Sequence, residues 1–216
     1  LYLDEFQNVK LASESIDAIV VDPPYPARHL DLIDDLVEQA NVWLKPGGSL
    51  LVMSGAQHVN EVFRRLDAGR LKYYWTIAYL TPGPTKLILG RDLSSAWKPV
   101  LWYVKAEKII VGMISNRNLV AHDDADVGQF GDVVTSKIDD EFKADDPERR
   151  WQQTVSGFEA LIRRCTLPGD TVLDPMMGYG TTGIAALKLK RKFIGIEKDG
   201  KAYKVAAGRI AEIMKR

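Results

Sequence analysis

The chain has 216 residues and is 46% hydrophobic, enough for a packed α/β domain with a modest insertion and too apolar for a disordered polymer. Its 29 basic and 29 acidic side chains cancel to a formal net charge of zero, so no overall positive field marks a polyanionic partner. A single cysteine, Cys165, excludes an internal disulfide and fits a reducing, cytoplasmic compartment; no apolar run is long enough to cross a bilayer, and no signal pattern opens the chain.

The first strong element is the β-branched run Ala18-Ile19-Val20-Val21, which predicts a buried parallel strand stopped by Asp22-Pro23-Pro24-Tyr25. Leu32, Ile33, Leu36, Val37 and Ala40 then recur at helical spacing within 29–44, and Lys45-Pro46-Gly47-Gly48 predicts a turn. A strand over 49–53, a helix over 59–66 and strands over 75–79 and 100–104 follow. Trp43, Trp75 and Trp102 fall in these elements and read as packing residues. Apolar periodicity fades through 106–150, which reads as a loop-rich insertion; within it, 123–148 is acidic and holds two lysines, Lys137 and Lys143. Beyond Trp151, Phe158, Leu161, Ile162 and Cys165 share one helix face, so Cys165 is expected in the core. Strands over 171–174 and 193–196 alternate with helices over 181–189 and 201–214. This alternation predicts a Rossmann-like, doubly wound parallel sheet.

Two constellations carry chemistry. In Asp174-Pro175-Met176-Met177-Gly178-Tyr179-Gly180-Thr181-Thr182-Gly183, a strand ends in a carboxylate and a glycine-rich turn enters a helix; Glu197 ends the next strand, where a carboxylate can accept hydrogen bonds from ribose hydroxyls. The spacing Gly178-x-Gly180-x-x-Gly183 alone also fits a dinucleotide fingerprint. Asp174 favours the second of two cofactors: a carboxylate repels a pyrophosphate but attracts the ammonium of S-adenosylmethionine. The second constellation is Asp22-Pro23-Pro24-Tyr25. Asp22 and a main-chain oxygen of Pro23 or Pro24 can accept the two N–H bonds of an exocyclic amino group, the prolines preorganise those acceptors, and Tyr25 offers a face on which a displaced base can stack. His29, His58 and His122 lack metal-ligand spacing and read as surface residues, and no metal is required.

Asp22-Pro23-Pro24-Tyr25 resembles the catalytic tetrapeptide of DNA amino-methyltransferases. Val172-Leu173-Asp174-Pro175 through Gly178-Tyr179-Gly180-Thr181-Thr182 resembles their cofactor motif, and Lys192-Phe193-Ile194-Gly195-Ile196-Glu197 their ribose-binding strand. The catalytic motif precedes the cofactor motif, as in the circularly permuted β class of bacterial and phage enzymes. The resemblance implies one methyltransferase domain over 1–216 with a target-recognition segment at 106–150, DNA as substrate, and S-adenosylmethionine as methyl donor. It implies catalytic roles for Asp22, Pro23, Pro24 and Tyr25. It implies cofactor contacts from Asp174, Pro175, Met176, Gly178, Gly180, Thr181, Thr182 and Glu197, and from Asp4, whose Leu3-Asp4 context resembles the family's short Gly-Asp segment. A homodimer and a restriction partner are compatible with it. The family usually has Phe at Met176 and Ser at Tyr179, and often Lys-Pro where this chain has Gln152-Gln153-Thr154.

Asp rather than Ser before Pro-Pro-Tyr favours N6 of adenine over N4 of cytosine within that resemblance. Two readings from other classes stand beside it. One is an NAD-dependent oxidoreductase, raised by the glycine spacing. The other is a non-catalytic cofactor-binding subunit, raised by the acidic insertion and the neutral charge.

Overall fold

The computed structural model describes residues 1–81, 86–88, 93–106, 131–137 and 153–215. In chain order the strands are β1 (Tyr2–Leu3), β2 (Ile16–Val21), β3 (Leu44–Met53), β4 (Lys72–Leu80), β5 (Lys86–Ile88), β6 (Leu93–Ser95), β7 (Trp97–Val104), β8 (Val133–Thr135), β9 (Thr171–Asp174) and β10 (Lys192–Glu197). The helices are α1 (Asp31–Trp43), α2 (Val59–Asp67), α3 (Val155–Cys165), α4 (Thr181–Lys188) and α5 (Gly200–Met214). Eight strands form one sheet in the order β1-β10-β9-β2-β3-β7-β4-β8, and β5 and β6 pair antiparallel by themselves.

Every residue of β2 is buried, as a strand covered on both faces requires, and its alternate side chains enter two separate cores. Ile19 and Val21 join Ile33, Leu36 and Val37 of α1 and Val62 and Leu66 of α2. Ala18 and Val20 join Phe158 and Leu161 of α3, Ile184 of α4 and Ile210 of α5. Helices therefore cover both faces, which is the doubly wound arrangement. Chain order makes the connections diverge: β9-α4-β10 steps one way along the sheet and β2-α1-β3 steps the other. The reversal falls between β9 and β2, the place where open α/β sheets leave a crevice for ligands.

The structure corrects four expectations. The sheet is mixed rather than all parallel, because β7 runs antiparallel to both β3 and β4. An apolar run such as Val100 to Val104 reads the same in either direction. The turn expected at Lys45-Pro46-Gly47-Gly48 lies inside β3 as an irregularity, with the register jumping from Ile16↔Leu44 to Ala18↔Ser49. Val133–Thr135, inside the segment read as loop, is a strand parallel to β4; it is too short to show periodicity. The rest of that insertion, 107–130 and 138–150, including most of the acidic stretch and His122, lies outside the described residues. Trp75 is 52% exposed, while Trp43 and Trp102 are buried. A register shift between Tyr73 and Trp75 accompanies this: Tyr74 packs edge-on to Trp102, and Trp75 faces out. Cys165 is fully buried, as its helix face predicts. No helix among the described residues is long and apolar enough to cross a membrane.

Candidate active site

Four neighbouring parallel strands end in acidic residues along one edge of the sheet. β2 runs beside β9 with Ala18↔Val172 and Ile19↔Leu173, so Asp174 is level with Val20 and Asp22 lies just past it. β10 is in register with β9 through Gly195↔Asp174, and Glu197 ends it. β1 pairs with β10 through Leu3↔Glu197, and the Asp4 amide donates to the Glu197 carbonyl at 3.0 Å. Asp4, Glu197, Asp174 and Asp22 thus come from strand ends that are 1-2-3-4 along the sheet, although the chain separates them widely. The sheet brings together both constellations recognised in the sequence, and it does so at the topological reversal.

Asp174 is the most constrained of the four. It is buried; one oxygen accepts the Thr182 hydroxyl at 2.5 Å and the other the Met176 amide at 3.0 Å. Burial raises its carboxyl to about 7, opposed by these two hydrogen bonds and reinforced by the negative charges of Asp22 and Glu197. Such a group has a strong electrostatic appetite for a cation. Glu197 accepts the Gly178 amide on one oxygen and the Asp199 amide on the other, both at 2.8 Å, which ties the glycine-rich turn to the end of β10. Asp4 is exposed, and its carboxylate accepts the Glu5 amide at 2.7 Å and the Asn8 side-chain amide at 2.9 Å.

The glycine-rich turn divides its labour. Gly178 has φ +51° and open space where a side chain would be. Gly180, at φ +81°, caps α4 and packs against Ala206 of α5. Pro175 is buried, Met176 packs against the α1 and α2 core, and Thr181 and Thr182 are buried in the first turn of α4. Of these two left-handed glycines, Gly178 is the one that faces open space.

In the second constellation the Tyr25 hydroxyl donates to Asp22 Oδ1, and the Gln153 side-chain amide donates to Asp22 Oδ2 at 2.8 Å. Tyr25 lies against Gly55, where any Cβ would be 3.3 Å from the ring, and the Lys98 ammonium is 4.9 Å from the ring centre. Burial and the Asp22 charge push the Tyr25 hydroxyl well above its usual range, so it stays a donor. The ring thus has contacts of its own in Gly55 and Lys98. Pro23, Pro24 and Tyr25 also border a pocket with Leu30, Met53 and Ser54. His29 and His58, read as ordinary surface residues, are half-buried and line that pocket. Sequence reasoning gave no site role to Gly55 or the histidines, and noted Gln153 only as part of a departure from the family's Lys-Pro; each reaches the site from another element. Among the described residues no group of His, Cys, Asp or Glu gathers to hold a metal ion.

Comparison with known proteins agrees with this geometry. A family model described as DNA methylase, N6_N4_Mtase, matches residues 16–208. The Type II methyltransferase M2.LlaDCHI of Lactococcus lactis subsp. cremoris is 25% identical over 97% of this chain and 88% of its own length. The TTHA0409 protein of Thermus thermophilus, solved as a complex with S-adenosyl-L-methionine, superposes with a TM-score of 0.74 at 19% identity, covering 98% of this chain and 93% of its own. PvuII DNA methyltransferase, a cytosine-N4-specific enzyme, gives 0.67 at 19% identity over 96% and 87%. At these identities the two structures speak for the fold. The family match runs through both constellations and nearly the whole chain, and the chain belongs to the N6/N4 DNA methylase family.

Proposed function

We propose that this chain transfers a methyl group from S-adenosylmethionine to N6 of adenine in DNA. The observation that carries the reading is the adjacency of the Asp22 and Asp174 strand tips at the reversal of the sheet. Bound there, S-adenosylmethionine supplies an electrophilic methyl group on a sulfonium. The residues present fit it: the open space at Gly178 admits close backbone approach, and the acidic row suits hydroxyls and an ammonium rather than a pyrophosphate. Asp174 would face the ammonium, Glu197 the ribose and Asp4 the adenine ring. Pro175, Met176, Gly178 and Gly180 would form the wall, with Thr181 and Thr182 behind it. The same acidic row argues against NAD.

A target adenine turned out of the duplex would present its amino group to Asp22. That nitrogen is a poor nucleophile because its lone pair is delocalised into the ring. Asp22 accepts one N–H and the carbonyl of Pro23 or Pro24 the other, which draws the nitrogen toward tetrahedral geometry and localises the lone pair. The prolines hold these acceptors in place beforehand, so little reorganisation remains at the moment of transfer. Direct transfer needs no covalent enzyme–base adduct. Burial raises the Cys165 thiol to about 12, which suits a core residue and not a nucleophile.

Asp rather than Ser at the head of the tetrapeptide supports adenine over cytosine. The test uses unmethylated DNA, labelled donor and mass spectrometry of the digested product. Wild-type protein yields N6-methyladenine, and Asp22→Ala loses ~100-fold or more of the rate. N4-methylcytosine in the digest would transfer the reading to cytosine. Undiminished transfer by Asp22→Ala would overturn the mechanism.

A further inference from the structure

Both oxygens of Asp22 carry a donor, and the two donors differ in kind. Tyr25 is three residues away on the same loop, so its hydroxyl is a local partner. Gln153 is 131 residues away and reaches Asp22 from the start of α3, across the reversal of the sheet.

The placement of Gln153 is itself fixed. The next residue, Thr154, is 1% exposed and caps α3, its hydroxyl oxygen accepting the Gly157 amide at 3.3 Å. The fully buried Tyr79 of β4 brings its hydroxyl to 3.3 Å from the Thr154 hydroxyl, and it can do so because residue 157 is glycine: a Cβ there would lie 2.0 Å from the Tyr79 oxygen. The backbone that presents Gln153 is thus held from β4, α3 and the cap together.

We propose that Gln153 is a positioning residue for Asp22: its amide holds Oδ2, so that Oδ1 is the oxygen offered to the target amino group in place of the Tyr25 hydroxyl. This rests on the reading of Asp22 as the acceptor for that amino group. A carboxylate with two free oxygens rotates about its bond to Cβ, and an incoming N–H must then also halt that rotation. A pinned carboxylate presents one lone-pair direction in advance. A neutral amide achieves this without cancelling the charge that attracts the amino hydrogen. Where the family often has Lys-Pro, this chain uses an uncharged donor.

Steady-state kinetics of Gln153→Ala, Gln153→Glu and Gln153→Lys test it in the full chain, with thermal midpoints and S-adenosylhomocysteine affinity measured on each. Glu matches Gln in shape but loses the donor and sets a negative charge against Asp22; Lys restores a donor. The expected result is a kcat lowered ~10- to 100-fold in the Ala variant and further in the Glu variant. Partial recovery is expected in the Lys variant. KM for DNA, cofactor-product affinity and thermal midpoint stay within about twofold, or a few degrees, of wild type. An unchanged kcat in the Ala and Glu variants overturns the inference. So does a kcat loss that tracks lost stability equally in all three, which is the behaviour of a tether between α3 and β2. Asp22→Ala run alongside separates the two levels: if it retains full activity, the underlying reading fails, whereas a dead Asp22→Ala beside active Gln153 variants removes only the role of Gln153.

Discussion

Asp174 shows how a single buried carboxyl can link stability, pH and ligand. Its ordinary value is 3.8, and burial raises it to about 7 in the folded chain. The folded form therefore holds its proton more tightly than the unfolded form. Stability from this group is full below about pH 4 and is lost as pH rises through 7, at up to about 1.4 kcal/mol per pH unit in between. Without cofactor, Asp174→Asn should be less sensitive to pH than wild type over that window and gain relative stability toward pH 8. Thermal midpoints of both proteins from pH 4 to 8 check this; parallel curves would remove the assignment. A bound ammonium reverses the balance by favouring the charged carboxyl. Binding of S-adenosylhomocysteine near pH 7 should then release protons in wild type and fewer in the Asn variant, read by calorimetry in buffers of different ionisation enthalpy. Asp174 and Asp22 were legible in the sequence because each follows a β-branched run and is followed by proline. The contact of Gln153 with Asp22 was not, because a pairing that spans 131 positions leaves no local pattern.

At the scale of elements, the β9-to-α4 turn separates what the glycine spacing merges. Gly178 is open and left-handed, so Gly178→Ala incurs about 1–2 kcal/mol of backbone strain and puts a methyl group into that open space. Gly183 is inside α4, where a Cβ would lie 2.5 Å from the Phe193 ring and 2.8 Å from Ile210. Gly183→Ala should therefore destabilise by about 1–3 kcal/mol through overpacking. Urea titration and S-adenosylhomocysteine binding on both variants distinguish the roles. Gly178→Ala is expected to lose affinity beyond its stability change; Gly183→Ala is expected to lose stability and, once folded, to bind normally. Equal affinity losses would mean that the turn acts as one unit. The strand-turn-helix context was readable from Thr171 onward, since polarity, glycine and periodicity all change at the right places. Which glycine faces open space and which is packed inside depends on α5 and β10, whose packing no spacing rule encodes. Strand direction was equally hidden: β7 has the composition of a buried parallel strand and lies antiparallel between β3 and β4.

The molecule as a whole is a sheet whose two halves wind in opposite directions and meet at β9 and β2. A ligand at that seam would touch residues from both halves, so its binding energy should count toward global stability rather than toward one loop. Cys165 provides the readout, since it is the sole cysteine, is fully buried in the core shared by α3, α4 and β2, and has a thiol raised to about 12. At pH 8 a thiol reagent should label it only through opening of that core. If the opening is global, S-adenosylhomocysteine at 100 times its Kd should slow labelling ~100-fold, equivalent to about 2.7 kcal/mol. If α3 frays by itself, the rate should not respond to ligand. The first outcome is expected because Cys165 shares its core with Val172 of β9 and Val20 of β2, the two strands whose tips form the candidate site. Exposing the thiol then means separating the strands that the ligand would join.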